Sequence, residues 1–117
     1  MEKKSNLDRL RAIISRIDTL LLSLLNARKN PNFKPEELAS TETCILQTRN
    51  EAVILIGLEK RGLNLPTYCP DREEEEIQRL SELAERGKMA LSPEEIREYF
   101  SLIFEQSRLL QEQQATA

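Results

Sequence analysis

The stretch Leu7–Arg28, LDRLRAIISRIDTLLLSLLNAR, decides the architecture of the chain. Leu7, Leu10, Ile14, Ile17, Leu21 and Leu24 recur in alternating steps of three and four, the spacing that stacks side chains along one face of an α-helix. Leu20, Leu22 and Leu25 widen the stripe, so this helix is expected to be buried on more than one side. The next stripe position after Leu24 is Arg28, and Arg11 lies at the stripe's edge, four after Leu7 and three before Ile14. An arginine so placed commonly snorkels, laying its stem on apolar surface while its head stays in water.

Outward from this helix, the rare Gly and Pro residues punctuate the chain at KNPNFKP (29–35), RGLNLPTYCP (61–70) and GKMALSP (87–93). They leave four helical segments, roughly 6–29, 36–61, 71–86 and 93–114. The second carries Leu46, Arg49, Val53, Ile56 and Lys60 on one face. Arg49 and Lys60 are therefore about 16 Å apart along it. In the third, Arg72 sits in a first turn whose dipole disfavours a cation. Glu73 falls four before Ile77 and seven before Leu80, on the apolar side. The fourth opens with a capping box, Ser92-Pro93-Glu94-Glu95. Its stripe of Ile96, Phe100, Ile103 and Leu110 is interrupted by Ser107, and Gln111 follows one turn later.

Composition agrees. Of 117 residues 39% are hydrophobic and 32% charged, with 4% aromatic, no Trp, 3 Gly and 5 Pro. An all-β domain needs more turns and more aromatic residues; one all-α domain spanning 1–117 is expected. The chain has no His, which excludes Ser-His and Cys-His catalysis. It has two cysteines, Cys44 and Cys69, too few thiolates for a usual zinc site. The net charge of −3 argues against general nucleic-acid binding. No segment has the apolar run of a signal peptide or membrane span, and the cysteines read as free thiols. A cytoplasmic protein without membrane contact is expected.

Arg11, Arg28, Arg49, Lys60, Arg72, Glu73, Ser107 and Gln111 all lie on or beside apolar helix faces. Bundle cores are where such folds build ligand sites. Several cations with few acids imply a small anionic ligand bearing carboxylates, which Arg matches in bidentate fashion. With no general base, chemistry at such a site would rest on electrostatic stabilisation and restraint.

Three segments carry a family resemblance. LDRLRAIISRIDTLLLSLLNAR has one Arg and then a second 17 residues later; AVILIGLEKRGLNLPTYCPDREEEEIQRL has a Gly, a Lys and an Arg-Glu pair 12 residues past the Lys; YFSLIFEQSRLLQEQ ends on Ser and then Gln four later. In this order they resemble the all-helical (type II) chorismate mutases, over most of the chain. The resemblance implies the rearrangement of chorismate to prephenate, without cofactor. It implies that Arg11 reaches a substrate carboxylate from the neighbouring subunit and that Arg28 holds one from within. Lys60 and Gln111 would bond the ether oxygen, Arg72 and Ser107 would serve carboxylate binding, and Glu73 would take the ring hydroxyl. The family joins its Arg-rich half to its Lys half in one long helix. Here 49 − 28 = 21 extra residues, with Pro31 and Pro35, interrupt it. Arg28 fits the second arginine by its distance from Arg11, and Arg49 by its distance of 11 from Lys60. Many members have Asp where Cys69 stands, which keeps isochorismate (pyruvate lyase) and the 4-amino analogue of chorismate open as substrates. The insertion keeps a non-catalytic binding module open. The leucine-rich opening helix implies a homodimer, with Arg11 supplied across it.

Overall fold

A computed structural model describes the backbone of residues 2–116 and the side chains of residues 6–114. Its elements are α1 (Glu2–Ala27), α2 (Pro35–Gly62), α3 (Pro70–Arg86) and α4 (Pro93–Thr116), with no strand among the described residues. Three helices begin on proline, whose fixed φ suits the first helical position and whose missing N–H costs nothing there. The capping box closes as expected: Glu95 N–H donates to Ser92 Oγ, and Ser92 N–H donates to Glu95 Oε1, both at 3.1 Å.

The helix ends show where punctuation and backbone differ. α1 stops at Ala27, two residues short of position 29. Lys29 and Asn30 donate to the carbonyls of Asn26 and Ala27 at 3.0 Å, tightening the last turn. Asn30 Oδ1 then accepts from Asn32 N–H at 2.9 Å and turns the chain toward Pro35. At the ends of α2 and α3 the left-handed residues are Asn64 (φ 58°) and Lys88 (φ 53°), not Gly62 or Gly87.

The turn after α1 reverses the chain, so α1 and α2 pair in antiparallel fashion: Arg28 meets Glu42, and Asp18 meets Arg49. α4 runs beside α2 in the same sense, Glu42 meeting Tyr99, Arg49 meeting Ser107 and the Val53 carbonyl meeting Gln111. α3 lies against α1 through Arg79, which donates to Thr19 Oγ1 and the Ser15 carbonyl. The core is where the helices converge, with Leu21, Leu22, Leu80 and Phe100 at 0% exposure and Ile96 at 1%.

The leucines that argued for a second copy find partners in their own chain. Leu21 and Leu22 are fully buried, and Leu24 and Leu25 half-buried, while Leu20 stays 54% exposed. The 21-residue insertion accounts for this: it supplies the turn and the first half of α2, against which the last turns of α1 pack. No helix among the described residues is long and apolar enough to cross a membrane.

Candidate active site

A cavity of about 280 Å³ opens between the four helices. α1 contributes Arg11, Ile14, Ser15 and Asp18, one face of the helix at steps of three, one and three. α2 contributes Arg49, Val53, Ile56 and Lys60 from the face read in its sequence. The loop before α3 adds Thr67 and Cys69, α3 adds Arg72, Glu73, Glu75, Glu76 and Arg79, and α4 adds Phe104, Ser107, Arg108 and Gln111.

Seven of the eight residues marked from the sequence thus surround one cavity: Arg11, Arg49, Lys60, Arg72, Glu73, Ser107 and Gln111. Arg28 does not. It sits beyond the cavity at the turn end of α1, where its Nη2 is 2.6 Å from Glu42 Oε1 and its guanidinium lies over the Tyr99 ring. A distance of 17 from Arg11 locates the second arginine only if the helix runs on, and here the chain reverses. Arg11 lines the cavity of its own chain, because α1 folds back.

Six cationic side chains and four carboxyls line the cavity, against a chain-wide charge of −3. Three of the cations are paired: Arg49 to Asp18 at 2.8 Å, Arg79 to Glu76 at 2.7 Å and Arg108 to Glu73 at 2.5 Å. Arg11, Lys60 and Arg72 have no ion-pair partner among the described residues. They raise each other's cost of charge. Burial, then the neighbouring Arg72, lowers the pKa of Arg11; burial, then Arg11, lowers that of Lys60. Both effects disfavour the protonated form, and an anion in the cavity would relieve them.

Two residues of the cavity wall, Lys60 and Gln111, carry N–H donors. Lys60 Nζ is steadied by the Thr67 carbonyl at 3.0 Å, which leaves two of its three N–H donors. Gln111 is 6% exposed; its Nε2 donates to the Val53 carbonyl at 3.3 Å, and its Oε1 has no hydrogen-bond partner. A buried unpaired amide oxygen is costly. Room for this amide comes from Gly57 on α2, where a Cβ would sit 3.1 Å from Gln111 Cγ. That close approach explains a glycine in mid-helix, a position that otherwise costs about 1 kcal/mol against Ala.

Sequence reasoning missed Asp18, Arg79 and Arg108. Asp18 had a signal: it falls four after Ile14 and three before Leu21, inside the apolar stripe. Arg79 and Arg108 had none, since their roles depend on which helix lies opposite. Arg108 stacks 4.5 Å from the centre of the Tyr68 ring while bonding both oxygens of Glu73.

The fold and site define an all-helical bundle with a polar cavity between its four helices, lined by six cationic side chains. Residues 44–112, which is 69 of 117, match the family model of chorismate mutase type II, and the chain belongs to that family. The match takes in Arg49, Lys60, Arg72, Glu73, Ser107 and Gln111, and it begins after α1. No curated protein and no solved structure matches the chain.

Proposed function

We propose that the protein is a chorismate mutase, converting chorismate to prephenate, a precursor of aromatic amino acids, with no cofactor. The observation that carries this reading is the convergence on one cavity of Arg11, Lys60 and Arg72, which have no ion-pair partner among the described residues, beside the Gln111 amide, whose Nε2 keeps a second N–H to donate. Such a set suits a dicarboxylate whose ether oxygen gains charge during reaction.

The rearrangement breaks the ether C–O bond and forms a C–C bond in one step, with no proton transferred. In this reading Arg11, Arg49 and Arg72 hold the two carboxylates and restrain the substrate's side chain over its ring. Ser107 acts through Arg49, whose Nη1 donates to its Oγ at 2.5 Å. Lys60 and Gln111 donate to the ether oxygen, and this contact strengthens as the C–O bond breaks. Stabilisation confined to the transition state lowers the barrier, whereas uniform binding does not. Glu73 accepts from the ring hydroxyl. Because Arg108 already balances its charge, Glu73 favours a neutral hydroxyl there over an ammonium.

Cys69 in the cavity wall supports a second reading, a relative acting on isochorismate or on the 4-amino analogue. Its thiol is a weak donor and a weak acceptor. One experiment separates these: ultraviolet-monitored turnover of all three substrates by the purified protein, with products identified. Prephenate from chorismate supports the first reading. Pyruvate release from isochorismate supports the second. Turnover of none overturns both and leaves a binding module.

A further inference from the structure

We propose that Asp18 is a positioning residue for substrate recognition: its carboxyl holds the Arg49 guanidinium by Nε, so that Nη2 points into the cavity as a preset carboxylate receptor. The inference rests on the mutase reading for its substrate, though not for its geometry.

Asp18 is 0% exposed and Arg49 3% exposed. A lone buried charge is among the most costly features a core can carry, so each needs the other. They meet at 2.8 Å between Nε and Oδ1, within the range of charge-assisted bonds. The rest of the guanidinium is held as firmly. Nη1 donates to Ser107 Oγ on α4 at 2.5 Å, and the Phe104 ring centre lies 5.6 Å from Cζ. α1 and α4 thus grip a side chain that α2 supplies. A guanidinium has five donors. Nη2 makes no hydrogen bond among the described residues, and Arg49 lines the cavity.

This arrangement has a consequence for binding. An arginine on a flexible stem must be ordered by its ligand, whereas one clamped at Nε meets the ligand already placed. Asp18 also tempers the site. When ionised, above about pH 7, it offsets the charge of Arg49 while the cavity holds no anion. The second carboxyl oxygen, Oδ2, has no hydrogen-bond partner among the described residues. The Glu76 carboxyl beside it can bond it only with a proton between them. That feature keeps the Asp18 oxygen bonded to Nε in service whether the pair carries one proton or none.

The test uses Asp18→Asn and Asp18→Ala in the full chain. Asn keeps an acceptor for Nε, and Ala removes it and lets Arg49 swing. We expect kcat/KM for chorismate within about fivefold of wild type for Asp18→Asn and lower by about 30-fold or more for Asp18→Ala, the scale of a ligand group misplaced by about 1 Å. The loss should appear mainly in KM, since Arg49 contacts a carboxylate present before and during reaction. A structural role alone predicts the reverse: both variants melt lower, and their folded fractions keep wild-type kcat/KM. That result overturns the proposal. A second readout stands apart from turnover. The Arg49 Nε–H resonance, assigned by its loss in Arg49→Lys, should exchange slowly in wild type and Asp18→Asn. In Asp18→Ala it should exchange fast. If wild type is inactive on chorismate, the mutase reading fails and this resonance alone decides Asp18. If the resonance exchanges as fast in wild type as in Asp18→Ala, the positioning role fails whatever the activity.

Discussion

Two arginines 21 residues apart, Arg28 and Arg49, have the same kinds of neighbour. Each bonds a carboxylate and lies over an aromatic ring: Arg28 has Glu42 and Tyr99, Arg49 has Asp18 and Phe104. Their surroundings differ. The Arg28 side chain is 42% exposed and its pair is finished in itself, because Tyr99 also donates to Glu42. The Arg49 side chain is 4% exposed and is held on three sides with one donor group left toward a cavity. A partnered cation becomes a receptor only when it is buried, clamped and still incomplete. Neither burial nor incompleteness follows from residue spacing, and that is why both arginines fit the sequence pattern.

The largest effect should come from Arg49→Ala. It removes a carboxylate receptor and leaves Asp18 buried without its cation. Breaking a buried pair costs about 3–5 kcal/mol, and here the loss falls toward the lower figure because Asp18 can take up a proton. We expect a large drop in the urea midpoint and kcat/KM lower by about 10²-fold or more. Equal activities for the Arg49 and Arg28 variants would remove the distinction drawn between the two.

Next comes Lys60. Its role is confined to the transition state, so Lys60→Ala should lower kcat by about 10²-fold with a modest change in KM. The same variant tests the fold-back of α1. Arg11 and Lys60 line the cavity of one chain. Refolding Arg11→Ala together with Lys60→Ala should therefore restore no activity, even where mixed dimers form. Recovered turnover would mean that α1 exchanges between chains. Any homodimer would then join through swapped helices rather than bring two complete sites together.

Much of this was legible in the sequence, and for a physical reason. Helical periodicity fixes which side chains share a face, so Arg49, Lys60, Ser107 and Gln111 could be grouped before their helices were brought together. Proline and the capping box marked three helix starts for equally local reasons. What periodicity does not carry is anything that depends on chain direction. Whether Arg11 serves its own subunit depends on whether residues 28–34 reverse the chain, and Pro31 and Pro35 signal a break without giving its angle. Cross-helix partners such as Glu42 for Arg28, or Arg108 for Glu73, lie outside any single-helix pattern. Asp18 was readable as an acid in an apolar stripe, but its partner was not.

A smaller effect should appear in the pH dependence of stability. Burial pushes the Asp18 carboxyl up to about 7, against the attraction of Arg49. The groups facing it are Arg49 from α2, Glu76 with Arg79 from α3 and, from α4, Tyr99, whose hydroxyl is held protonated by burial and by the charges of Glu42 and Asp18. Between about pH 4, where an unfolded Asp ionises, and about pH 7, the folded state keeps a proton that the unfolded state has lost. Stability from this group is thus greatest at the acid end and declines as pH rises through that window. Burial works to raise the Glu76 carboxyl too, but hydrogen bonds from Arg79 and Asp18 outweigh it and lower its pKa. Its contribution is lost at the acid end, below the Asp18 window. Melting temperatures from pH 4.5 to 7 should therefore fall in wild type relative to Asp18→Asn. Parallel curves would show that Asp18 is ionised throughout.

The smallest effect belongs to Arg28→Ala, which carries the comparison at its other end. The pair with Glu42 is solvated on the arginine side, and such pairs contribute about 0–1 kcal/mol. The guanidinium lies 5.7 Å from the Tyr99 ring centre, a contact that at an exposed site adds about 0.5–1 kcal/mol. Removing Arg28 orphans nothing: Glu42 keeps the Tyr99 hydroxyl as a donor, and Tyr99, whose pKa is raised by burial and then by Glu42, stays protonated. We expect a shift of about 1 kcal/mol or less in urea unfolding, and kcat/KM within about twofold of wild type. High salt should shrink even that shift, because an exposed pair is screened while the Asp18–Arg49 pair is not. A tenfold loss of activity with stability intact would return Arg28 to the substrate. In that case the turn at 28–34 would have to open in the working enzyme.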